Sequence, residues 1–281
     1  MASHVLSGFA IVTLALNVPG PVAASRLRKL GAEVVKVEPP SGDPLARLCL
    51  PWYQSLAEGQ RIVSLDLKDE KGRSELDCSL AQSDLLLTSM RPAALARLSL
   101  GWNGLHQRHP RLCHVAIIGS SPPDENKAGH DLTYQARAGL IDPPNMPRTL
   151  IADLAGAEKA VASALALLLA RERGRGAGYA EIPLADAAQD FAVPLRRGLI
   201  TSAFGGARPE YNLYQTRDGF VALAAVEPHF REKLAAELGL NQLNISALKD
   251  IFLLKSAVEW EKWADSRDLP LVAVEKATPK R

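Results

Sequence analysis

The chain is short of several things that would each announce a class of protein. Cysteine is scarce, with three residues in 281, Cys49, Cys78 and Cys113. They are far apart and odd in number, with no Cys-x-x-Cys and no Cys/His pair at ligand spacing, so neither a disulfide framework nor a metal site is expected, and the thiols read as reduced. Net charge is nearly absent, 33 Lys and Arg standing against 31 Asp and Glu for a formal +2. The cations are scattered, with no basic block interleaved with aromatics; a nucleic-acid partner is therefore not expected, and a cationic site would hold a small anion such as a phosphate. Long apolar runs are missing as well. The longest, Ala160 to Ala170, falls well short of the roughly 20 residues that span a bilayer. The first apolar run has no cationic segment before it and is broken by Asn17, Pro19 and Gly20. Neither a signal peptide nor a membrane association is expected, and the compartment expected is the cytoplasm. The Gly-x-Gly-x-x-Gly fingerprint is lacking too, which disfavours a nicotinamide or flavin dinucleotide.

What is present reads first as alternating strands and helices. Phe9 to Leu16 is a β-branched run apolar on both faces, Val22 to Leu30 is helical and stops at Gly31, and Glu33 to Val37 is a second two-sided strand. A right-handed βαβ unit follows, hence a parallel sheet with helices on its faces and ligands at the strands' carboxyl ends. Glu38 to Gln60, with Pro39, Pro40, Pro44 and Pro51, reads as loop. Strands at Ile62 to Leu67, Asp84 to Thr88 and Cys113 to Ile118 continue the pattern. Helices are expected at Lys71 to Ala81, Pro92 to Leu98 and Asn103 to His109, then a long Ala/Leu helix at Ala155 to Arg171 before the strand Tyr179 to Leu184. This gives a large α/β domain over 1–190. Glycines and Pro209 mark a linker over 191–209. A hairpin at Tyr211 to Thr216 and Phe220 to Ala225, with helices at Pro228 to Leu238 and Ala257 to Ser266, makes a small α+β domain over 210–270, followed by a tail over 271–281.

The chemistry concentrates between Gly129 and Asp153. His130, with Asp131 beside it, and Asp153 stand on opposite sides of a loop rich in proline, Asp153 directly ahead of the Ala-rich helix. An imidazole and a carboxylate that face one another across a substrate are what a proton-transfer enzyme needs. His106, His109, His114 and His229 have no metal-ligand spacing, and Trp52, Trp102, Trp260 and Trp263 read as packing residues.

With these segments in place, the chain resembles the family III CoA transferases, the superfamily that also holds α-methylacyl-CoA racemase. The resemblance is carried by Gly20-Pro21, Leu30 to Pro39, Gly42-Asp43, Ser64 to Lys68, Arg91-Pro92 with Leu95 to Leu98, Pro110 to Leu112, Gly129-His130-Asp131, Ala152-Asp153, Tyr214 to Gly219 and Val226 to Phe230. It implies a large Rossmann-like CoA-binding domain, a small α+β domain and an intertwined homodimer. It also implies coenzyme A, as an acyl-CoA thioester, for the substrate, with no metal. Gly-His-Asp and Glu227-Pro228 are similar to the racemase-like branch. By that resemblance Asp153 and a His130/Glu227 pair flank a thioester α-carbon, with Glu227 orienting His130. The CoA contacts would fall to Asn17, Leu65, Lys68, Ser89, Met90, Arg91 and Arg97; read without the resemblance, Lys68 and Arg97 are equally ordinary solvated charges. The reaction implied is α-proton transfer on a 2-substituted acyl-CoA. The alternatives are CoA transfer between carboxylic acids through an Asp153 acyl anhydride, and acyl-CoA or partner binding without turnover. Family members usually continue past Leu271 to Val274, so the C-terminus is expected to be shortened relative to them.

Overall fold

Each β-branched run of the first half becomes a strand of one parallel sheet in the computed structural model, which describes residues 4–276. Two compact units result, Met1–Ala192 and Val193–Arg281. The first unit runs β1 (Ala10–Thr13), α1 (Pro19–Lys29), β2 (Glu33–Glu38), α2 (Pro44–Leu48), α3 (Leu50–Ala57), β3 (Arg61–Ser64), α4 (Glu70–Ala81) and β4 (Leu85–Thr88). It continues through α5 (Pro92–Arg97), α6 (Trp102–Arg108), β5 (Cys113–Ile118), α7 (Asp131–Ala138), α8 (Ile151–Ala170), β6 (Tyr179–Pro183) and α9 (Leu184–Phe191). Its six strands lie in the order β3-β2-β1-β4-β5-β6, every neighbouring pair parallel. The chain builds outward from β1 through β2 to β3, then returns to place β4 on the other side of β1. The loops after β1 and β4 therefore diverge at the carboxyl edge, which is where open α/β sheets take their ligands.

Strand periodicity explains why the runs are apolar on both sides. Ile11, Leu85, Leu87, Val115 and Ile117 pack on one face with Val22 and Leu27 of α1 and Ala157, Ala160 and Ala164 of α8. Their sequence neighbours Val12 and Leu86 point to the opposite face, against Leu76, Leu80, Leu95 and Leu105. A sheet covered by helices on both faces leaves no polar alternation to read. At Gly20 the start of α1 approaches the end of β1 so closely that a β-carbon would lie 2.2 Å from that of Ala15.

The proline-rich stretch Glu38 to Gln60 is not a loop. Pro44 and Pro51 occupy the first turns of α2 and α3, where a missing N–H breaks no helical hydrogen bond, and Asp43 caps α2 by accepting from the Leu45 N–H at 2.9 Å. The same carboxylate anchors a buried polar cluster. Lys36 lies within β2 yet is 1% exposed, because its ammonium sits 2.6 Å from Asp43 Oδ2 and 2.7 Å from Glu38 Oε1. It also stands 4.6 Å above the Tyr53 ring, whose hydroxyl donates to Glu38 at 2.8 Å. Asp43 Oδ1 further accepts the N–H of Asn17 at 3.0 Å, holding that residue at φ 66°, a left-handed conformation that asparagine tolerates better than most residues. The loop after β1 is thus locked to the end of β2.

In the second unit, the expected linker over 191–209 takes up helix α10 (Val193–Arg196) and a wide turn at Leu199–Ala203. There follow β7 (Tyr211–Gln215), β8 (Phe220–Ala224), α11 (Pro228–Glu237), α12 (Ile245–Phe252), α13 (Ala257–Asp265) and β9 (Leu271–Ala273). The residues expected as a tail from 271 include β9, which pairs antiparallel with β8 and completes a three-stranded sheet β7-β8-β9; 277–281 of that tail lie outside the described residues. Tyr214, Val221, Leu223, Leu248, Phe252, Trp260 and Leu271 form this unit's own core.

The Asp43 cluster makes a stability prediction. Asp43→Ala removes an ion-pair partner of buried Lys36, the cap of α2 and the acceptor of the Asn17 amide together, so urea unfolding should show a loss of about 3 kcal/mol. A loss below about 1 kcal/mol would mean that Glu38 alone compensates Lys36.

Candidate active site

The loop after β5 leads through Gly129 into α7, whose N-cap is His130. The His130 N–H donates to Thr133 Oγ1 at 3.0 Å and that hydroxyl donates back to the His130 carbonyl at 2.7 Å, closing the first turn without a Ser, Asp or Asn cap. Gly139, at φ 76°, ends the helix. The glycine of Gly-His-Asp has a steric reason, since a β-carbon on Gly129 would lie 2.4 Å from the Tyr134 hydroxyl and 2.6 Å from its ring.

Asp153 does not precede the long helix, as expected from the sequence, but stands within the first turn of α8, which begins at Ile151. The N-cap residue is Leu150, whose side chain has no acceptor to offer. Asp131 supplies one from α7: its Oδ1 accepts the Asp153 N–H at 3.1 Å, and its Oδ2 accepts from Gln135 Nε2 at 2.6 Å. The Gln135 amide also donates to the Thr149 carbonyl at 2.9 Å. Asp131 is buried and is engaged in capping α8 from outside that helix.

His130 and Asp153 line one cavity of about 200 Å3, together with Asn17, Ser89, Met90, Arg91, Lys127, Gly129 and Tyr134. Asp131 is not part of its lining. The Asp153 carboxyl is pushed up to about 7, first by burial and second by the charge of Asp131. Its place in the first turn of a helix favours the ionised form, but desolvation outweighs that. Burial, and then the charge of Asp153, also raise the Tyr134 hydroxyl. A second cavity of about 320 Å3 shares Leu16, Asn17, Ser89 and Met90 with the first and extends over Leu14, Val37, Leu65 and Lys68. The two adjoin along these shared residues, as a groove at the β1/β4 switch point that is polar at the Asp153 end and apolar at the other.

Of the expected CoA-side residues, Asn17, Leu65, Lys68, Ser89 and Met90 line the apolar part and Arg91 the polar part. Arg97, on the last turn of α5, lines neither. Ser89 is already engaged, its hydroxyl accepting the Leu16 N–H at 3.0 Å and so pinning the β1 and β4 loops together. Glu227 stands exposed in the second unit at the N-cap of α11. His114 is a core residue: its Nε2 lies 3.0 Å from Thr88 Oγ1, and burial pushes it down to about 4, so it is neutral. His109 pairs with Asp77 at 2.9 Å. Nothing in the sequence pattern marks Tyr134, Gln135 or Lys127 as site residues. The only signals for α7 were the acid at Asp131 and the glycine at 139, a helix start and stop eight residues apart. No helix among the described residues is long and apolar enough to cross a membrane.

A model of the family described as CoA-transferase family III matches residues 6–261. The chain is 30% identical to human (Homo sapiens) α-methylacyl-CoA racemase over 301 residues, covering 94% of this chain and 76% of that one. It is 27% identical to a probable fatty acyl-CoA transferase of Mycobacterium tuberculosis over 270 residues, covering 83% of this chain and 68% of the relative. Among solved structures, a CAIB/BAIF family protein from Brucella suis superposes with a TM-score of 0.83 at 21% identity, over 96% of this chain and 84% of that one; at that identity the likeness speaks for the fold.

The raised Asp153 carboxyl has a measurable consequence. A carboxyl with a higher midpoint in the folded than in the unfolded state favours folding fully below its unfolded midpoint near 4, and that contribution is lost as pH rises through about 7. Wild type should therefore lose stability relative to Asp153→Asn between pH 4 and pH 8, by on the order of 3–4 kcal/mol. Urea unfolding of both proteins across that range checks it, and a pH-independent difference would contradict it.

Proposed function

Because the chain belongs to CoA-transferase family III, we propose that it binds acyl-CoA thioesters along the β1/β4 groove and moves a proton at their α-carbon, acting as a racemase or epimerase of 2-substituted acyl-CoAs. The observation that supports this is the pairing, in one cavity, of His130 with a carboxyl pushed up to about 7. A thioester acidifies its α-C–H because the enolate oxygen can carry the charge. Inversion then needs one group to take the proton from one face and another to return a proton to the opposite face. A carboxyl titrating near neutrality is present in both protonation states at working pH, so it can serve as base for one enantiomer and acid for the other. His130 takes the complementary role. The first turn of α8 offers its positive end to the enolate oxygen. Leu65 and Met90 suit the adenine face of CoA, and Lys68 and Arg91 its phosphates. In this reading the protein is a homodimer.

A second reading is favoured by the transferase among the relatives. There the Asp153 carboxylate attacks the thioester carbonyl, the C–S bond breaks, CoA leaves as the thiolate and an acyl anhydride remains on Asp153. The thiolate then attacks the Asp153 carbonyl of that anhydride, releasing the first carboxylate and leaving an Asp153 CoA thioester. A second carboxylate attacks this thioester, expels the thiolate and forms a new anhydride with Asp153, and the thiolate attacks the new acyl carbonyl to give the new thioester and free Asp153. This route needs no base opposite Asp153, which is why His130 inclines the choice to proton transfer.

Incubation with a 2-methylacyl-CoA in D2O, followed by mass spectrometry, separates the two. Proton transfer predicts α-deuteration with no second acid present, reduced by roughly 10² or more in Asp153→Asn. Transfer of CoA to a second carboxylic acid without α-deuteration would reverse the order of the readings.

A further inference from the structure

We propose that Asp131 and Gln135 act as a positioning pair that fixes where the Asp153 carboxyl stands and in which protonation state it meets the substrate, an inference that rests on the proton-transfer reading of Asp153. Asp131 is the neighbour of His130 in sequence, yet it is 5% exposed and lines neither part of the groove. Both of its hydrogen-bond donors are neutral: the Asp153 amide on one oxygen and the Gln135 amide on the other. Burying a carboxylate with only neutral donors is costly. A cap for α8 alone would not demand it, because a neutral Ser or Asn serves as well. Gln135 is 1% exposed, and its Oε1 has no partner while its Nε2 bonds both Asp131 and the Thr149 carbonyl. One amide therefore joins α7 to the segment that enters α8, on whose first turn Asp153 stands.

The electrostatic consequence has a definite sign. A negative charge held beside Asp153 opposes its ionisation, adding to the effect of burial. Facing the same cavity are Arg91 ahead of α5, Lys127 and His130 ahead of α7, and Tyr134 on α7. Arg91 and Lys127 are both exposed, and Lys127 is paired with Asp124 at 2.6 Å, so their opposing pull on Asp153 is weakened by solvent. Neutralising Asp131 should lower the Asp153 midpoint. Loss of a merely structural cap would lower stability and leave the midpoint where it was.

The test is a carbon-13 NMR titration of the full chain labelled at aspartate, with the Asp153 carboxyl assigned from Asp153→Asn. Wild type should titrate far above an ordinary aspartate, and Asp131→Asn, which keeps an oxygen for the Asp153 amide, should lower the midpoint by at least one unit, tenfold in the acid constant. The rising limb of α-deuteration against pH should move to lower pH by the same amount. Gln135→Leu should reduce kcat about tenfold at unchanged KM and, when added to Asp131→Asn, change kcat by less than about twofold, because it acts through Asp131. An ordinary midpoint in wild type, an unmoved one in Asp131→Asn, or additive effects of the two substitutions would each overturn the proposal. Should Asp131→Asn fail to fold, the wild-type midpoint and the Gln135→Leu kinetics decide. The titration requires no turnover, so midpoints that behave as stated in a protein without α-exchange would count against the proton-transfer reading alone.

Discussion

The hydrogen bond from the Asp153 amide to the Asp131 carboxylate is the contact on which the candidate site depends. It supplies an acceptor for an end of α8 that its own N-cap, Leu150, cannot provide, and so it settles where the longest helix of the chain begins. It also brings a second negative charge to a carboxyl that burial already makes hard to ionise. Capping and charge tuning come from one side chain, and both act on the same residue. The Gly-His-Asp triplet accordingly contains three separate physical roles: Gly129 leaves room for Tyr134, His130 reaches the cavity, and Asp131 turns inward to hold α8.

The sheet gives this arrangement its location. Reversal of strand order between β1 and β4 opens a gap at the carboxyl edge, and two devices keep the gap in shape. Asp43 fixes the Asn17 amide from the β2 side, and the Ser89 hydroxyl fixes the Leu16 amide from the β4 side. Both are paired within the protein before any ligand arrives, so the groove is pre-formed, which lowers the ordering cost of binding. In the proposed reading, the apolar end around Leu65 and Met90 then takes the nucleotide and the polar end around Asp153 the thioester.

Much of this was legible in the residues. The two-sided apolar runs give a parallel sheet with covered faces, and the loop between Gly129 and Asp153 carries both groups that meet in the cavity. What escaped did so for identifiable reasons. Pro44 and Pro51 look like loop markers when helices are sought by apolar periodicity, but they are equally the first-turn residues of α2 and α3. Lys36 lies in a run that reads as a two-sided strand, and nothing in that run shows that Asp43 and Glu38 fold onto it as ion-pair partners. α7 begins with a histidine cap closed by Thr133, a pattern outside the usual cap residues, so the helix bearing Tyr134 and Gln135 left little trace. Arg97 shows the converse, a residue that a motif nominates and the groove does not include. Leu271 to Ala273 became a strand because β8 offered an open edge, a fact of tertiary structure that three apolar residues cannot announce.

In the proposed reading a thioester α-carbon stands against Asp153, and the most direct test of that is a crystal structure with a non-cleavable thioether analogue of a 2-methylacyl-CoA. The adenine should lie over the apolar end between Leu65 and Met90, and the carbon corresponding to the α-position should lie within about 3–3.5 Å of an Asp153 carboxyl oxygen, the near-attack range. An analogue bound outside the β1/β4 groove, or inside it with that carbon beyond reach of Asp153, would contradict the account.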